Sequence, residues 1–367
     1  MKSNKKKSFM FWFMLFMNLL SIAALLVAYL AAWIKPSIYW PIAFFGLAYP
    51  FTVIINILFT IYWLINRRWF AIVPLVFIGL GWNSILSFIQ FGNEAAQKTE
   101  DSFSILSYNA HLFKSIKTNK YDKKTKHEMM EMVLAQETDF ICFQEFYYRK
   151  KGVYDIKDSL MKNGGYKYFK EELFDSNENE VMSMAMLSKY PIIHSEVLHF
   201  YDRPHANMCL YADVLYKGDT IRIINIHLQS ISFQPEDYQY LDQVKNVETD
   251  MQSNKRIGAR IKNAFLHRGD QAEKVAELIE DSPYPVIVAG DFNDTPASYA
   301  FHVISNDLKN AFREKGRGIG VTYNGAFPNF QIDHILCGQE FEVCDYKIIK
   351  KKYSDHYPVK GVFKLIK

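Results

Sequence analysis

Short apolar runs that break off on acids, amides and histidines carry the chemistry of this chain. From Pro285 to Pro296 the sequence reads PVIVAGDFNDTP, a strand-like run that stops on Asp291 and Asn293. Side chains two apart on an extended segment face the same side, so this carboxylate and carboxamide can address one reacting centre while Phe292 packs the other way. A carboxylate so placed can take a proton from water, and an amide can donate to a phosphoryl oxygen. Standing alone, the same residues make an ordinary Asx turn. Three more runs end alike: Phe103 to Asn109 on an amide, Phe140 to Glu145 on an acid, and Ile221 to His227 on a histidine followed by Leu228, Gln229 and Ser230. Near the C-terminus come Asp333 with His334, and Asp355 with His356. Singly, each is as readily a solvated acid, a core histidine or a turn residue; the conjunction argues for a site.

In the order Asn109, Glu145, His227, Asp291-x-Asn293, Asp333, Asp355-His356, these motifs resemble the endonuclease/exonuclease/phosphatase superfamily. Its members are metal-dependent phosphoesterases that include DNase I-like nucleases, neutral sphingomyelinases and inositol-phosphate phosphatases. The segment from Met186 to Ile192, MLSKYPI, looks like that family's turn between two central strands. The resemblance runs from Phe103 to Leu365 and implies a DNase I-like four-layer α/β/β/α sandwich, with its site where strand ends from both sheets converge. On that resemblance Glu145 is expected to be the principal metal ligand with Asn109 and Asp355 beside it, and oxygen ligands favour Mg²⁺ or Mn²⁺ over softer ions. Asp291 is expected to orient and deprotonate the attacking water, and Asn293 and His227 to hydrogen-bond the nonbridging oxygens or the leaving group. His356 would stabilise the charged pentavalent state, with Asp333 holding its tautomer and favouring the imidazolium. His111 and His334 lie beside these motifs, the latter where many relatives carry an aromatic.

Positioning these residues requires many strands. The sequence predicts strands over 103–109, 139–145, 181–188, 193–200, 207–216, 220–228, 285–291, 331–337, 341–349 and 357–365, with helices over 123–137, 257–281 and 297–305. That pattern predicts two packed sheets covered by helices. The segment from Gln229 to Arg268 mixes Phe233, Tyr238, Tyr240 and Leu241 with many charges and reads as a lid over the site.

Ahead of this domain, residues 1–91 contain no Asp or Glu. Three apolar stretches, Phe9 to Ile34, Ile38 to Ile65 and Trp69 to Phe91, each exceed the roughly 20 residues that span a hydrocarbon core. The expectation is a three-helix membrane anchor over 1–91, a polar linker over 92–102 and a catalytic domain over 103–367. Lys2, Lys5, Lys6, Lys7, Arg67 and Arg68 mark the cytoplasmic ends by the positive-inside rule, against a lone Lys35 on the other side. Three crossings would then place the catalytic domain outside, on the periplasmic face of the inner membrane in a bacterium.

The whole-chain charge of +4 is misleading, because seven of the Lys/Arg lie in residues 1–91 and the remaining 36 face 39 acids. A domain near −3 lacks the broad positive face of a non-specific nucleic-acid binder. The lysines of 114–126 read as a solvated loop and helix entry. Cys142 and Cys209 read as small core residues, whereas Cys337 and Cys344 flank a plausible hairpin turn and could pair in an oxidising compartment. Three functions stay open: a hydrolase of phospholipid headgroups or other small phosphoesters, an extracytoplasmic nuclease, and a non-catalytic membrane-anchored sensor. No protein partner can be inferred.

Overall fold

The computed structural model describes residues 9–92, 101–245, 250–325 and 328–366. Lys2, Lys5, Lys6 and Lys7, and most of the expected linker at 92–102, lie outside these residues.

Prolines and glycines, more than apolar content, decide the N-terminal structure. Helix α1 (Phe9–Leu30) is the one described helix that is long and apolar enough to cross a membrane by itself. The second apolar stretch does not form one helix. Pro36 opens α2 (Pro36–Tyr39), Pro41 opens α3 (Pro41–Leu47), and Pro50 sits in the first turn of α4 (Tyr49–Ile65), which leaves α3 at 65°. Proline lacks an N–H and clashes with the preceding turn, so each of these residues starts a helix instead of continuing one. The third stretch breaks into a 3-10 turn at Trp69–Ala71, α5 (Ile72–Leu80) and α6 (Trp82–Ile85), each shorter than a crossing. The expected three unbroken membrane helices are therefore corrected to one, or two if the bent pair α3–α4 is a single broken span.

Polar contacts hold these helices together. Trp63 Nε1 donates to Asn18 Oδ1 at 2.9 Å, and Asn56 Nδ2 donates to Ser21 O at 3.0 Å, joining α1 to α4. At one end of the bundle Phe11 meets Trp63 and Phe70, with ring centroids 5.7 and 5.6 Å apart. At the other end Trp33 lies 4.1 Å from the His302 ring, and Lys35 pairs with Asp270 and Glu273 at 2.9 and 2.6 Å. Beyond α6, β1 (Ile89–Phe91) pairs antiparallel with β11 (Arg317–Ile319). The N-terminal unit is thus docked on the rest of the chain at several points.

Two six-stranded sheets make up the remainder. One runs in the order β13 (Phe341–Ile348), β14 (Val359–Leu365), β2 (Ser102–Asn109), β3 (Phe140–Arg149), β5 (Glu180–Ser188), β4 (Tyr168–Ser176). The other runs β10 (Lys309–Asn310), β12 (Asp333–Cys337), β9 (Val286–Asp291), β8 (Asp219–His227), β7 (Met208–Tyr216), β6 (Ile192–His199). Alternation along the strands sorts the side chains: Ile105 joins Phe140, Ile223, Ile287 and Phe363 between the sheets, while its neighbour Leu106 faces helices. Helices α7 (Lys123–Leu134) and α8 (Ile156–Gly164) cover the first sheet through Met129, Val133, Ile156 and Leu160. Helices α10 (Met251–Glu280) and α11 (Tyr299–Ile304) cover the second through Ala272, Val275 and Phe301. The result is the expected α/β/β/α order of layers, with α9 (Pro235–Lys245) and α12 (Ala311–Lys315) at the periphery.

Some local expectations fail for reasons of pairing. Cys337 and Cys344 do not face each other across a hairpin, because β12 and β13 belong to different sheets and the chain crosses between them; all four thiols are free. The MLSKYPI turn likewise crosses from β5 to the edge strand β6 of the other sheet instead of joining two central strands. Helix α10 starts before residue 257, because the Asp250 carboxylate caps it by accepting from the Gln252 and Ser253 amides.

A group of polar contacts centred on two amides crosses the core. Gln144 Nε2 donates to Asn225 Oδ1 at 2.6 Å, and Asn225 Nδ2 donates to the carbonyls of Phe143 and Ala185 at 3.1 Å each. Both side chains are fully buried. Replacing Asn225 by Ala removes the shortest acceptor of Gln144 Nε2, leaving it the longer 3.3 Å contacts to Ser107 Oγ and the Cys142 carbonyl, and takes a donor from two carbonyls, at an expected loss of about 1–3 kcal/mol. Urea unfolding of the full chain in detergent should show a lower midpoint at unchanged slope.

Candidate active site

Strand register brings the residues together. Parallel pairing sets His227 opposite Asp291, and antiparallel pairing sets Asp333 opposite Asp291, so one rung of the second sheet carries all three. In the facing sheet Asn109 shares a rung with Gln144. One residue on, the β3–β5 ladder slips between Phe143 and Phe146, and Glu145 takes φ +47°. A bulge of this kind re-aims a side chain at the end of a strand. Asn293 at φ +51° and His111 at φ +45° share the left-handed backbone. Such conformations are costly for residues with a side chain and gather where geometry serves function. Asn109, Glu145, His227, Asp291, Asn293, Asp355 and His356 line a single cleft, with His111 among them. Asp333 lies behind His356 and does not line it.

Asp291 sits at the centre and is 1% exposed. Its Oδ1 accepts from the Asn293 amide at 2.8 Å, and its Oδ2 accepts from Asn109 Nδ2 at 3.0 Å. The Nε2 atoms of His227 and His356 stand 3.6 and 3.7 Å from Oδ2. His227 Nδ1 is 3.0 Å from the Ala206 carbonyl, which can only accept, so that nitrogen carries a proton and Nε2 faces the cleft. His356 Nδ1 lies 2.9 Å from Asp333 Oδ2, and the Asp333 amide donates to Thr322 Oγ1 at 3.0 Å. Burial works against a charged His356, but attraction to Asp333 and Asp291 and the Asp333 hydrogen bond outweigh it and hold the imidazole well above its ordinary pKa. The imidazolium expected from the sequence is thus electrostatically favoured.

The donor set suits a hard cation. Among the described residues no hydrogen bond or ion pair meets the half-buried Glu145 carboxylate, although it faces the cleft. Asp355 is half-buried too, with Ser354 Oγ at 3.2 Å and His111 Nδ1 at 3.5 Å. Asn109 Oδ1 accepts from the His111 amide at 3.1 Å and keeps a second lone pair. Two acids and an amide oxygen with few protein donors form the oxygen cluster that Mg²⁺ or Mn²⁺ prefers. Asp291, Asp333 and His356 also bring potential ligand atoms within 4.8 Å of one another. There, however, His356 Nδ1 is bonded to Asp333 and its positive charge opposes a cation, so the Glu145 side is the better seat.

Several residues were not singled out from sequence. Arg268, 1% exposed on α10, donates to Asp294 Oδ2 and to the Gln229 carbonyl, both at 2.9 Å. It ties the loop after Asp291 to the start of the 229–245 segment. A lone arginine inside the buried stripe of α10 was its only signal. Tyr323 pairs with His356 by an isolated bridge, with the two rings 5.3 Å apart, and lines the cleft from an irregular stretch without periodicity. His334 packs between Phe292 and Phe301 at 4.9 and 4.6 Å, its Nε2 donates to the Asp294 carbonyl at 3.1 Å, and it does not line the cleft. Burial lowers its pKa to about 4, so it stays neutral in the aromatic's place.

Comparison with known proteins speaks to the family. The Endonuclease/Exonuclease/phosphatase family matches residues 106–356, and a domain of unknown function matches residues 9–88. No curated protein matches the chain. Among solved structures, an endonuclease/exonuclease/phosphatase from Beutenbergia cavernae DSM 12333 is similar with a TM-score of 0.51 and 15% identity, over 73% of this chain and 72% of that one. A humanized D. rerio TDP2 with 14 mutations gives 0.51 and 16% identity over 72% and 100% of the two chains. The human Nocturnin catalytic domain, solved with a bound sulfate anion, gives 0.51 and 13% over 73% and 96%. At these identities the likeness speaks for the fold. The family match covers more than half of the chain, which therefore belongs to the Endonuclease/Exonuclease/phosphatase family, whose members are metal-dependent phosphoester hydrolases.

Proposed function

We propose that this chain is a divalent-metal-dependent phosphodiester hydrolase that works at a membrane face on a phospholipid headgroup or another small phosphoester. The observation that carries the reading is the setting of Asp291: a dry carboxylate fixed by Asn109 and Asn293, flanked by the Nε2 atoms of His227 and His356, in one cleft with a Glu145 that has no partner among the described residues. Glu145, Asp355 and Asn109 would hold Mg²⁺ or Mn²⁺, which when bound supplies Lewis-acid polarisation of a phosphoryl oxygen. Asp291 orients a water and accepts its proton as the oxygen bonds to phosphorus and the ester P–O bond breaks. Asn293 and His227 hydrogen-bond the nonbridging oxygens or the departing group. His356, kept protonated by Asp333, balances the negative charge that builds on the pentavalent phosphorus.

The nuclease reading is weaker. Among the described residues Arg268 is the only Lys or Arg on the cleft, and it is already bound to Asp294 and Gln229, so none of these tracks a polyanionic backbone. Membrane residence is supported by the outward-facing Phe13, Phe16, Ile54, Leu58, Ile61, Leu64 and Leu75. Trp33, Ile38, Tyr39 and Trp40, exposed beside the catalytic domain, suit the headgroup layer. Arg67 and Arg68 are at the far end, where Arg68 lies over Phe11 at 5.8 Å. The positive-inside rule then makes that end cytoplasmic, and the domain from residue 103 onward extracytoplasmic, periplasmic in a bacterium.

The full-length protein in detergent, given Mg²⁺ or Mn²⁺ and offered sphingomyelin, inositol phosphates and plasmid DNA in parallel, should hydrolyse a phosphoester and stop on chelation. Asp291→Ala should lower kcat by roughly 10²–10⁴-fold. Wild type inert on every substrate would leave a sensor domain in place of an enzyme, and DNA cleavage surviving Asp291→Ala would mark a contaminant. A second expectation concerns pH. His356 has a raised pKa, so its charge persists through neutral pH and is lost as pH climbs through that value. The wild-type rate should therefore fall on the alkaline side, and His356→Gln should be slow at every pH without that limb.

A further inference from the structure

The cleft has two unlike walls. One is the polar group around Asp291; the other is apolar and partly borrowed from the N-terminal unit. Leu47, the last residue of α3, lines the cleft together with Phe233 and Phe330. Behind it Phe44 packs edge-on against Phe265 at 5.2 Å, and the same cluster includes Ile231, Phe233 and Leu241 of the 229–245 segment. Two residues beyond Leu47, α4 begins, and its outward face carries Ile54, Ile55, Leu58 and Ile61. Phe51, in the first turn of α4 and 50% exposed, stands 6.3 Å from the Phe330 ring. Among the described residues, apolar side chains therefore run from the exposed side of α4 over the half-exposed Phe51 to the buried Phe330, which lines the cleft at the edge of the reaction centre. The cleft itself holds about 240 Å³. That is room for a phosphoester headgroup and leaves long chains to lie outside, along that surface.

We propose that Leu47, Phe51, Phe233 and Phe330 form a hydrocarbon subsite, and that the substrate is a membrane-resident phosphoester whose chain leaves the cleft past Phe51 and runs down α4 into the bilayer. This rests on the hydrolase reading above and narrows its substrate class to amphiphiles. The break between α3 and α4 thereby gains a purpose: an unbroken helix would carry position 47 along the membrane axis, whereas the 65° bend delivers it to the cleft. Burial of several methylene groups gives such a subsite enough free energy to dominate selection between otherwise identical esters.

The test uses full-length protein in mixed micelles with Mg²⁺ and two diesters that share one leaving group, 4-nitrophenyl ethyl phosphate and 4-nitrophenyl hexadecyl phosphate. Wild type is compared with Phe51→Ser, truncated at a half-exposed position where folding is not at risk, and with Leu47→Ser. The comparison between proteins cancels the partition of the long ester into the micelle. Each variant should lower kcat/KM for the hexadecyl ester about ten-fold more than for the ethyl ester. Equal losses on both esters, or none, overturn the subsite. If wild type turns over neither ester, the hydrolase reading fails, and equilibrium binding of hexadecyl phosphonate still decides this proposal. Affinity about ten-fold weaker in Phe51→Ser than in wild type upholds it, and equal affinity sinks it.

Discussion

A buried pair of amides fixes how the two sheets lie on each other. Hydrophobic contacts between Ile105, Ile223, Ile287 and Ile335 drive the sheets together but are tolerant of sliding, because apolar attraction has no direction. The hydrogen bond from Gln144 to Asn225 has direction, and losing it weakens the pairing of buried polar groups in a dry core. Gln144 is next to Glu145 and shares a rung with Asn109; Asn225 is two residues before His227 on its strand. The same contact that locks the sheets thus sets the spacing between Glu145 on one and the Asp291 rung on the other. A site assembled from two sheets needs such a directional lock.

Charge burial is the second constraint. Asp291, Asp333, His227 and His356 are each no more than 5% exposed, and isolated charges so placed would be unstable. They persist because each acid has a donor: Asn109 and the Asn293 amide for Asp291, His356 for Asp333. Asp294 repeats the device one step away. Burial pushes its carboxyl upward in pKa while Arg268 beside it works against the shift. Removing Arg268 would leave a buried acid alone, which is why this arginine belongs to the integrity of the loop after Asp291.

The strands that carry the site were legible in the sequence because each is a short apolar run ending on a polar residue, and period-two alternation fixed which side chains point together. Asn109, Glu145, His227, Asp291, Asn293, Asp355 and His356 all reach the one cleft. Edge strand β4 was not legible: it is half-exposed on both faces and lacks an apolar run. The crossings from β5 to β6 and from β12 to β13 were misread as local turns, since sequence records turn residues but not which sheet the next strand joins. Arg268 left only a lone arginine in a buried stripe because its partners lie far along the chain, and Tyr323 was invisible in a stretch with no pattern.

The N-terminal stretch teaches the converse. Its composition reads as uninterrupted hydrocarbon, and hydropathy alone cannot tell a helix that crosses from one that turns back toward protein. What decides is a close approach: a Cβ on Gly46 would come 2.7 Å from Ala31 Cβ and 3.0 Å from the Ala297 carbonyl, so only glycine lets α3 lie against both α1 and the segment that follows Asp291. With Pro41 and Pro50 on either side, that glycine trades length of helix for contact with the catalytic domain. A simple tether would gain nothing from such contact. On the hydrocarbon-subsite proposal, a bent apolar unit whose Leu47 lines the cleft belongs to the site, and its chemistry should be sought in what it presents to the substrate.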